Sequence, residues 1–380
     1  MKAKSKRKGN FPPLRFPEFK AEWKRKKLGE VAEIVGGGTP DTNIDEYWDG
    51  NIQWFTPSEI KSNFVSKSIR TITELGLKKS SAKLLPIGAI LLTTRATIGD
   101  VAIAEQECAT NQGFQSLIVY KNVNNKFIAN WIRINKNKFI KLAKGSTFAE
   151  ISKKDIEKIN IFITELPEQT KIASFLSLID ERISTQMKII EEWEKFRYGL
   201  RFQLFKQFKN DSVKVKPTKN LINYEQPTKY IVSDNNYSQN PLSTPVLTAN
   251  KAFILGYTNE RFGIYDKGDC IIFDDFTMDM KYVTFPFKVK SSAIKILKPK
   301  SNINLRYVFE YLLSLNLKSG EHKRHYISEI ASKTIPLLKR GQQNTIASLF
   351  LSLDYKIVIE KSLLSTYQEQ KKYLLRNLFI

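Results

Sequence analysis

Three aspartates in one short segment, Asp274, Asp275 and Asp279, are candidates for metal-dependent chemistry in this sequence. Their carboxylates could bind Mg²⁺, which prefers oxygen ligands. No second acidic motif accompanies them to complete a nuclease site. The sequence therefore favours the other interpretation, in which these residues form turns or orient neighbouring side chains.

Other catalytic motifs are not found. His322 and His325 are the two histidines of the chain, which argues against a histidine metal site, and the basic neighbours of His325 suit contact with phosphate. The triplet Gly36–Gly38 is followed by Thr39-Pro40, as in a turn, and no GxxxxGK[ST] or GxGxxG motif is present. A backbone approach of this triplet to a DNA phosphate stays open. With no NPPY-like or helicase motif either, the sequence predicts a non-catalytic helper subunit without a bound metal.

The charge of the chain favours a polyanionic partner. Lysine and arginine number 61 against 38 acidic residues, a formal net charge of +23. Such a surface most often binds nucleic acid, because neutralising phosphates releases counterions. Most of the excess lies in residues 1–165 and 210–336, so we expect DNA to bind these segments. Two cysteines, no long apolar run and no signal-peptide pattern predict a cytoplasmic protein that does not enter membranes.

An internal repeat organises the chain. Residues 170–205 align without a gap with residues 344–379, at an offset of 174. The identical pairs are Ile172/Ile346, Ala173/Ala347, Ser174/Ser348, Asp180/Asp354, Ile183/Ile357, Leu200/Leu374, Leu204/Leu378 and Phe205/Phe379. A tandem duplication of domain and helix follows, and it predicts a pseudo-two-fold molecule with two DNA-reading domains.

Each copy of the repeat predicts one long amphipathic helix, because apolar residues recur at spacings of three and four. We expect the two seams to bury against each other in an antiparallel coiled coil, although two separate helices, each on its own domain, remain possible. The positions predicted to form this spacer and to contact partner subunits are Leu176, Ile179, Ile183, Ile190, Trp193, Leu200, Leu353, Ile357, Leu364, Tyr367 and Leu374. Polar exceptions fall at matched places, Gln186 with Glu360 and Arg197 with Lys371.

The repeat and the charge together predict five segments: a basic, disordered tail (1–19), a first recognition domain (20–165), a helix (166–209), a second recognition domain (210–336) and a second helix (337–380). Both domains read as mixed α/β (α+β), since short apolar runs alternate with glycine, proline and asparagine breaks. One continuous strand is expected over Tyr282–Val289. The scattered aromatic residues could stack on DNA bases or pack a core.

The order of the motifs resembles that of the specificity subunits of type I restriction-modification enzymes. FPPLRFPEFKAEWKRKKLGEVAEIVGGGTP, YWDGNIQWFTPSEI, GAILLTTRATIGDVAIA and NQGFQSL resemble the family's first recognition domain. PVLTANKAFILGYTNE, IIFDDFTMDMKYVTFPFKVKSSAIKIL and HKRHYIS resemble another version of that domain. LPEQTKIASFLSLID resembles the start of the central helix, whose second copy has Gly341-Gln342-Gln343 in place of Pro167-Glu168-Gln169.

This resemblance implies a subunit that directs other proteins. It would bind double-stranded DNA and two adenine-methylating modification subunits, and two ATP-driven restriction subunits would complete the nuclease. S-adenosylmethionine, ATP and Mg²⁺ would then belong to the partners, with no cofactor in this chain. The target would be a two-part, asymmetric sequence, and DNA-mimicking anti-restriction proteins are further conceivable partners.

Side chains that could read base edges or stack on bases lie in both predicted domains. The candidates are Thr39, Trp54, Thr56, Arg95, Gln112, Phe114, Asn250, Lys251, Tyr257, Lys281, Tyr282, Arg324 and His325. Two other functions stay open: a stand-alone sequence-specific DNA-binding protein, and a coiled-coil scaffold without a nucleic-acid role. Tight DNA binding without partners would favour the first, and indifference to DNA the second.

Overall fold

A computed structural model describes residues 9–143, 149–210, 213–250, 252–317 and 325–380. The chain divides into two compact units. Unit 1 consists of Met1–Gln186 with Leu363–Ile380, and unit 2 of Met187–Ser362. Each unit therefore contains a mixed α/β domain together with parts of both long helices. This arrangement confirms the predicted fold class and the tandem duplication, whereas the five segment boundaries remain predictions.

Unit 1 contains a larger and a smaller sheet. Its strands are β1 (Lys24–Lys27), β2 (Ala32–Gly36), β3 (Trp48–Phe55), β4 (Phe64–Val65), β5 (Arg70–Ile72), β6 (Ile90–Leu92), β7 (Val101–Ala104), β8 (Cys108–Thr110), β9 (Gln115–Val119) and β10 (Asn160–Ile163). The larger sheet has the order β2-β9-β6-β7-β4 and the smaller one β5-β3-β8. The strands β1 and β10 pair separately and antiparallel.

Unit 2 repeats this topology. Its strands are β11 (Val215–Pro217), β12 (Ile222–Glu225), β13 (Thr244–Leu247), β14 (Ile254–Thr258), β15 (Cys270–Asp274), β16 (Met280–Val283), β17 (Lys288–Val289), β18 (Ile294–Pro299) and β19 (Thr334–Pro336). The sheet orders are β12-β18-β15-β16 and β14-β13-β17, with β11 paired to β19. In both smaller sheets the central strand has one antiparallel and one parallel neighbour. Among the described residues, β4 alone of the larger sheet's strands lacks a counterpart.

Two of the helices are much longer than the others. In chain order the helices are α1 (Glu74–Lys78), α2 (Asn125–Ile134), α3 (Lys136–Leu142), α4 (Lys153–Glu157), α5 (Leu166–Asn210), α6 (Thr218–Leu221), α7 (Leu305–Ser314) and α8 (Arg340–Asn377), and the long ones are α5 and α8. Pro167 falls in the first turn of α5, where its missing N–H costs nothing. None of the helices in the described part of the chain combines the length and apolar character that a membrane span requires.

The long helices run antiparallel within each unit, as the repeat predicts. In unit 1, Asp180 of α5 pairs with Lys371 of α8, and the Arg182 guanidinium lies 5.9 Å from the centre of the Tyr367 ring. In unit 2, Arg197 of α5 pairs with Asp354 of α8 at 2.7 Å. Numbers therefore rise along one helix as they fall along the other. Asp180 and Asp354 are an identical pair of the repeat, so one ion pair occurs twice.

The apolar seam of these helices is buried inside the units. Leu176, Ile179 and Leu374 belong to the core of unit 1, and Leu353 belongs to that of unit 2. Ile190 and Ile357 are also buried. The remaining seam positions are half-buried: Ile183, Trp193, Leu200, Leu364 and Tyr367. The buried seam positions pack within the units, and the predicted contact of the seam with partner subunits remains a prediction.

A buried glutamine attaches each long helix to its domain. Gln169 of α5 accepts the N–H of Asn124 at 2.9 Å and donates to the carbonyl of Thr164 at 2.7 Å. Gln343 of α8 accepts the N–H of Asn304 at 2.8 Å and donates to Leu338 at 2.8 Å. Asn124 and Asn304 cap α2 and α7. The two glutamines align at the offset of the repeat, so this joint is duplicated as well.

Two predicted elements need correction. The expected disorder does not hold for the whole of the predicted tail, because its described residues 9–19 contact unit 1. There, the Arg15 guanidinium holds buried Glu168 at 2.6 and 2.7 Å, and Phe16 packs edge-on against Phe175. The strand expected over Tyr282–Val289 is interrupted between β16 and β17, where Pro286 cannot donate a ladder hydrogen bond.

Candidate DNA interface

In unit 1, four loops meet at one end of the strands. They are residues 37–40 after β2, 56–60 after β3, 93–100 between β6 and β7, and 111–114 between β8 and β9. Thr39 donates its hydroxyl to the Gln112 side chain at 2.5 Å. Thr94 donates its N–H to the carbonyl of Gly113 at 2.8 Å, and Thr97 donates its hydroxyl to Pro57 at 3.4 Å. These bonds join the loops into one surface.

The glycine triplet serves close packing in this surface. A Cβ on Gly37 would lie 2.0 Å from the carbonyl oxygen of Asn111, and one on Gly38 would lie 2.2 Å from the Ser81 hydroxyl. The N–H of Gly38 already donates to Thr110, and its carbonyl accepts the Trp54 indole N–H at 2.9 Å. The backbone of Gly38 is thus satisfied within the protein. This arrangement does not support the open possibility that it approaches a DNA phosphate.

The surface brings together four of the residues predicted to read DNA: Thr39, Thr56, Arg95 and Gln112. Gln112 is exposed, and the other three are half-buried. The Arg95 guanidinium pairs with Glu150 at 2.8 Å, with 43% of the Arg95 side chain exposed. The neighbouring Ala96 has a φ of 56°, so the backbone at the tip of this loop adopts a conformation unusual for alanine.

Two aromatic candidates of unit 1 need correction, because both belong to its core. Trp54 is 5% exposed and packs edge-on against Trp48. Phe114 is completely buried in a cluster with Phe55 and Leu91. Stacking on a base would require either side chain to leave this core, at a cost of several kcal/mol, of the order of an aromatic-to-alanine substitution. Neither is carried forward as a DNA contact.

Glu59, which is not among the residues predicted from sequence, holds the loop after β3 in place. One oxygen of its carboxylate accepts the N–H and the hydroxyl of Thr56 at 2.7 Å each. The other accepts the N–H of Ile69 at 2.7 Å. The sequence Thr56-Pro57-Ser58-Glu59 is a capping box, so the pattern could have been recognised. Because the Thr56 hydroxyl donates to Glu59, its first role is to hold the loop.

The candidates of unit 2 are more scattered. Asn250 is exposed and forms a turn, since its side-chain oxygen accepts the N–H of Ala252 at 3.2 Å. Tyr257 lies half-buried in β14, where its backbone exchanges two hydrogen bonds with Ser238. Lys281 is half-buried in β16. The candidates Lys251 and Arg324 lie outside the described residues.

Tyr282 and His325 need correction as base-reading residues. The Tyr282 hydroxyl donates to Asp269 at 2.9 Å, and its ring lies 5.6 Å from Phe309 and 5.2 Å from the Arg306 guanidinium. Burial and the Asp269 carboxylate raise the pKa of Tyr282. His325 is 1% exposed, with Nδ1 2.9 Å from Glu329. Both side chains are occupied inside unit 2.

The aspartate cluster of unit 2 holds the protein backbone. Asp274 Oδ1 accepts two backbone N–H groups, at 2.9 and 3.0 Å. Asp275 accepts the N–H of Tyr326 at 2.8 Å and pairs with Lys295 at 3.5 Å, where both side chains are buried. In the part of the chain that the structure describes, no group of three or more histidine, cysteine or acidic residues is arranged to hold a metal ion. The turn-forming interpretation of these aspartates is the one the contacts support.

A buried charge network joins α7 to the long helices in unit 2. Glu310 is completely buried and lies 2.7 Å from Arg201, 2.6 Å from Arg306 and 3.6 Å from Arg197. Asp354 binds Arg306 and Arg197. Burial opposes the positive charge of Arg306, but the Glu310 and Asp354 carboxylates outweigh it and raise its pKa. The network compensates buried charges and belongs to the helical framework of unit 2.

Comparison with known proteins agrees with this architecture. Residues 20–195 match a family model described as type I restriction modification DNA specificity domain. The MjaIX specificity subunit of Methanocaldococcus jannaschii is 36% identical over 204 residues, 52% of this chain and 46% of that protein. The EcoR124I/EcoR124II specificity subunit of Escherichia coli is 46% identical over 135 residues, 33% of each. The solved S subunit of M. genitalium has a TM-score of 0.61 at 17% identity, over 97% of this chain and 99% of its own.

Two units of one topology, each built around both long helices, define the fold of type I S subunits, which the chain shares over 97% of its length. The family model of type I restriction modification DNA specificity domains matches residues 20–195, a little under half of the chain. The resemblance predicted from the sequence is thereby confirmed. The match spans less than half the length of each of the two curated relatives.

Proposed function

We propose that this chain is the DNA-recognition subunit of a type I restriction-modification complex and has no catalytic site of its own. The observation that carries the proposal is the repetition of one domain topology with different residues in its loops. Each unit would read one half of a two-part, asymmetric target, because non-identical loops read non-identical sequences. The net charge of +23 supplies the attraction to phosphate that such a role needs.

In unit 1, we propose that Thr39, Arg95 and Gln112 contact DNA. A glutamine side chain can form two hydrogen bonds with adenine, and an arginine can do so with guanine. Gln112 is exposed, and the bond from Thr39 orients it before DNA binds. Arg95 would have to exchange its bond with Glu150 for a phosphate or a base.

The long helices also carry apolar side chains outside their buried seam. The exposed ones are Leu166, Leu178, Met187, Phe196, Tyr198 and Phe202 on α5, and Leu349, Leu351, Tyr355, Val358, Ile359, Leu363 and Tyr373 on α8. We propose that two modification subunits bind these faces, since exposed apolar surface on a helix favours protein contacts. Two restriction subunits would then join the complex.

In this division of labour the partners supply the chemistry. The modification subunits would use S-adenosylmethionine to methylate adenine N6 after flipping the base, and the restriction subunits would use ATP and Mg²⁺ to cleave DNA. The complex would act in the cytoplasm, where the DNA is. Anti-restriction proteins that imitate DNA would compete for the loops of both units.

The test is single-molecule sequencing of a methylation-free host that expresses this chain with its neighbouring modification subunit. We expect one gapped motif carrying N6-methyladenine, which disappears when this chain is omitted. The Gln112→Ala variant should relax one half of that motif, whereas Gln106→Ala, at the opposite strand ends between β7 and β8, should leave it unchanged. A stable complex without any methylation would contradict the proposal and favour the stand-alone DNA-binding protein.

A further inference from the structure

The two units hold their loops with the same backbone hydrogen bonds. Each bond runs from a backbone N–H to a carbonyl oxygen in or beside these loops. In unit 1 the bonds run from Thr93 to Asp100 (2.9 Å), from Thr94 to Gly113 (2.8 Å), from Asn111 to Phe55 (3.0 Å) and from Phe114 to Asn111 (3.4 Å). In unit 2 the corresponding bonds, in the same order, run from Asp274 to Asp279 (2.8 Å), from Asp275 to Ala293 (2.9 Å), from Lys290 to Leu247 (3.1 Å) and from Ile294 to Ser291 (3.5 Å). A side-chain bond is matched too, since Asn111 accepts the N–H of Gly113 and Ser291 that of Ala293.

These bonds match the ends of the loops in one unit with those in the other, although the loops differ in sequence and in length. The loop 275–279 of unit 2 corresponds to residues 94–100 of unit 1, and the loop 290–293 to residues 111–113. Ser291 matches Asn111 in two of these bonds, so the position of Gln112 is taken by Ser292. A left-handed residue lies in each first loop, Ala96 with φ of 56° and Met278 with φ of 59°, which supports the alignment independently.

The aligned residues of unit 2 offer polar groups to solvent. Thr277, Lys290, Ser291 and Ser292 are all exposed. Serine and threonine hydroxyls can donate to or accept from any base edge, and lysine can bind guanine or phosphate. Their chemistry differs from the amide and guanidinium of unit 1, which is what two different half-sites require.

The loop that carries Thr277 is held in place before any ligand binds. The Asp274 carboxylate accepts the N–H of Thr277 at 3.0 Å, and Asp275 pairs with buried Lys295 at 3.5 Å. The Thr277 hydroxyl donates to Asp279 at 3.0 Å. A loop fixed in this way loses little conformational entropy on binding, and that favours discrimination between similar ligands.

We propose that Thr277, Lys290, Ser291 and Ser292 determine the specificity of unit 2 for its half of the DNA target. This inference rests on the proposed function and replaces Tyr282 and His325, whose side chains are occupied inside the unit. Lys281, in the middle of β16, and Tyr257, in β14, lie on strands rather than in these loops. They take no part in reading this half-site.

The experiment maps methylation by the complex of this chain with its modification subunit. Lys290→Ala and Ser292→Ala remove exposed groups without touching the bonds that hold the loops. Ser301→Ala is the matched control, because Ser301 is exposed beyond the other end of β18. Gln112→Ala identifies the half-site that unit 1 reads.

We expect the two loop variants to relax the half-site that Gln112→Ala leaves intact. Methylation at sites with one altered base pair there should rise on the order of ten-fold relative to the intact site. Ser301→Ala and Lys281→Ala should methylate as the parent does. If the unaltered protein gives a gapped motif but both loop variants leave it unchanged, or Lys281→Ala shifts it, this inference alone is overturned. If the unaltered protein gives no motif, the proposed function is overturned.

Discussion

Unit 1 and unit 2 share a framework but stabilise it with different charges. In unit 1, the sixth residue after the cap of the helix α2 is Asn130, which accepts one hydrogen bond from Arg133 at 3.0 Å. In unit 2 the same position of α7 is Glu310, which holds three arginines. The seam ion pair of Asp180 or Asp354 is retained in both. Topology and helix register are therefore the same in both units, whereas the buried polar group at this position of the helix differs.

The largest difference between the units should follow from removing Glu310. Glu310→Gln leaves buried Arg201 without its carboxylate partner, and leaves Arg197 and Arg306 with Asp354 alone. We therefore expect a loss of about 3–5 kcal/mol in the free energy of unfolding of unit 2. The matched variant Asn130→Ala in unit 1 should cost only about 1 kcal/mol. Denaturant titration measures both.

Two cysteines, one in each unit, allow the unfolding of each unit to be followed separately in that titration. Burial raises the pKa of Cys108 in unit 1 and of Cys270 in unit 2 to about 12 each, so neither thiol reacts until its unit opens. Glu310→Gln should accelerate labelling of Cys270 well before that of Cys108. Equal acceleration of both would show that the network does not belong to unit 2 alone.

An intermediate effect, equal in both units, should follow from removing the glutamine joints. Gln169→Leu and Gln343→Leu each leave one backbone N–H and one backbone carbonyl, at least partly buried, without their side-chain partner. We expect each to lower the free energy of unfolding by about 1–3 kcal/mol. Hydrogen exchange at Asn124 and Asn304 should increase alike. A loss confined to one unit would break the equivalence of the two joints.

The smallest expected effect is a loss of stability of unit 2 at low pH. Burial alone would raise the pKa of Glu225, but hydrogen bonds from Tyr230, Lys298 and Lys267 outweigh it and lower that pKa from 4.5 to about 2. A lowered pKa in the folded state means that the stabilisation is present above pH 4.5 and is lost as the pH falls toward 2. Glu225→Gln should remove this slope in labelling of Cys270. A slope that persists in the variant would assign the acid sensitivity to other groups.

The helices were predictable because their signal repeats. Residues 170–205 and 344–379 give the same apolar spacing twice, and the observed helices α5 and α8 contain nearly all of it. The strand β3 was missed, since Asp49, Gly50 and Asn51 are residues of low strand propensity. There, tertiary pairing with β5 and β8 decides the structure.

The site was predictable in part. Exposed polar residues that follow strands, such as Gln112, could be chosen from sequence because loops lie at the surface. The aromatic residues could not be assigned to the core or to the DNA interface from sequence. A side chain such as Trp54 or Phe114 can pack in a core or stack on a base, and only its neighbours in the fold decide which. The loops of unit 2 could not be matched to those of unit 1 from sequence, because their lengths differ and because bonds such as that from Lys290 to Leu247 join residues far apart in the chain.

Unit 1 is built from two stretches of chain that are made at different times. The N–H of Leu14 donates to the carbonyl of Asn377 at 2.8 Å, and the Trp23 ring packs edge-on against Phe379. All of unit 2 is synthesised between them. At about 5–20 residues per second, unit 1 would wait roughly 9–35 s for its last helix. During that interval Trp23 and Phe127 would lack their contact with Phe379, and apolar surface left open in this way favours aggregation.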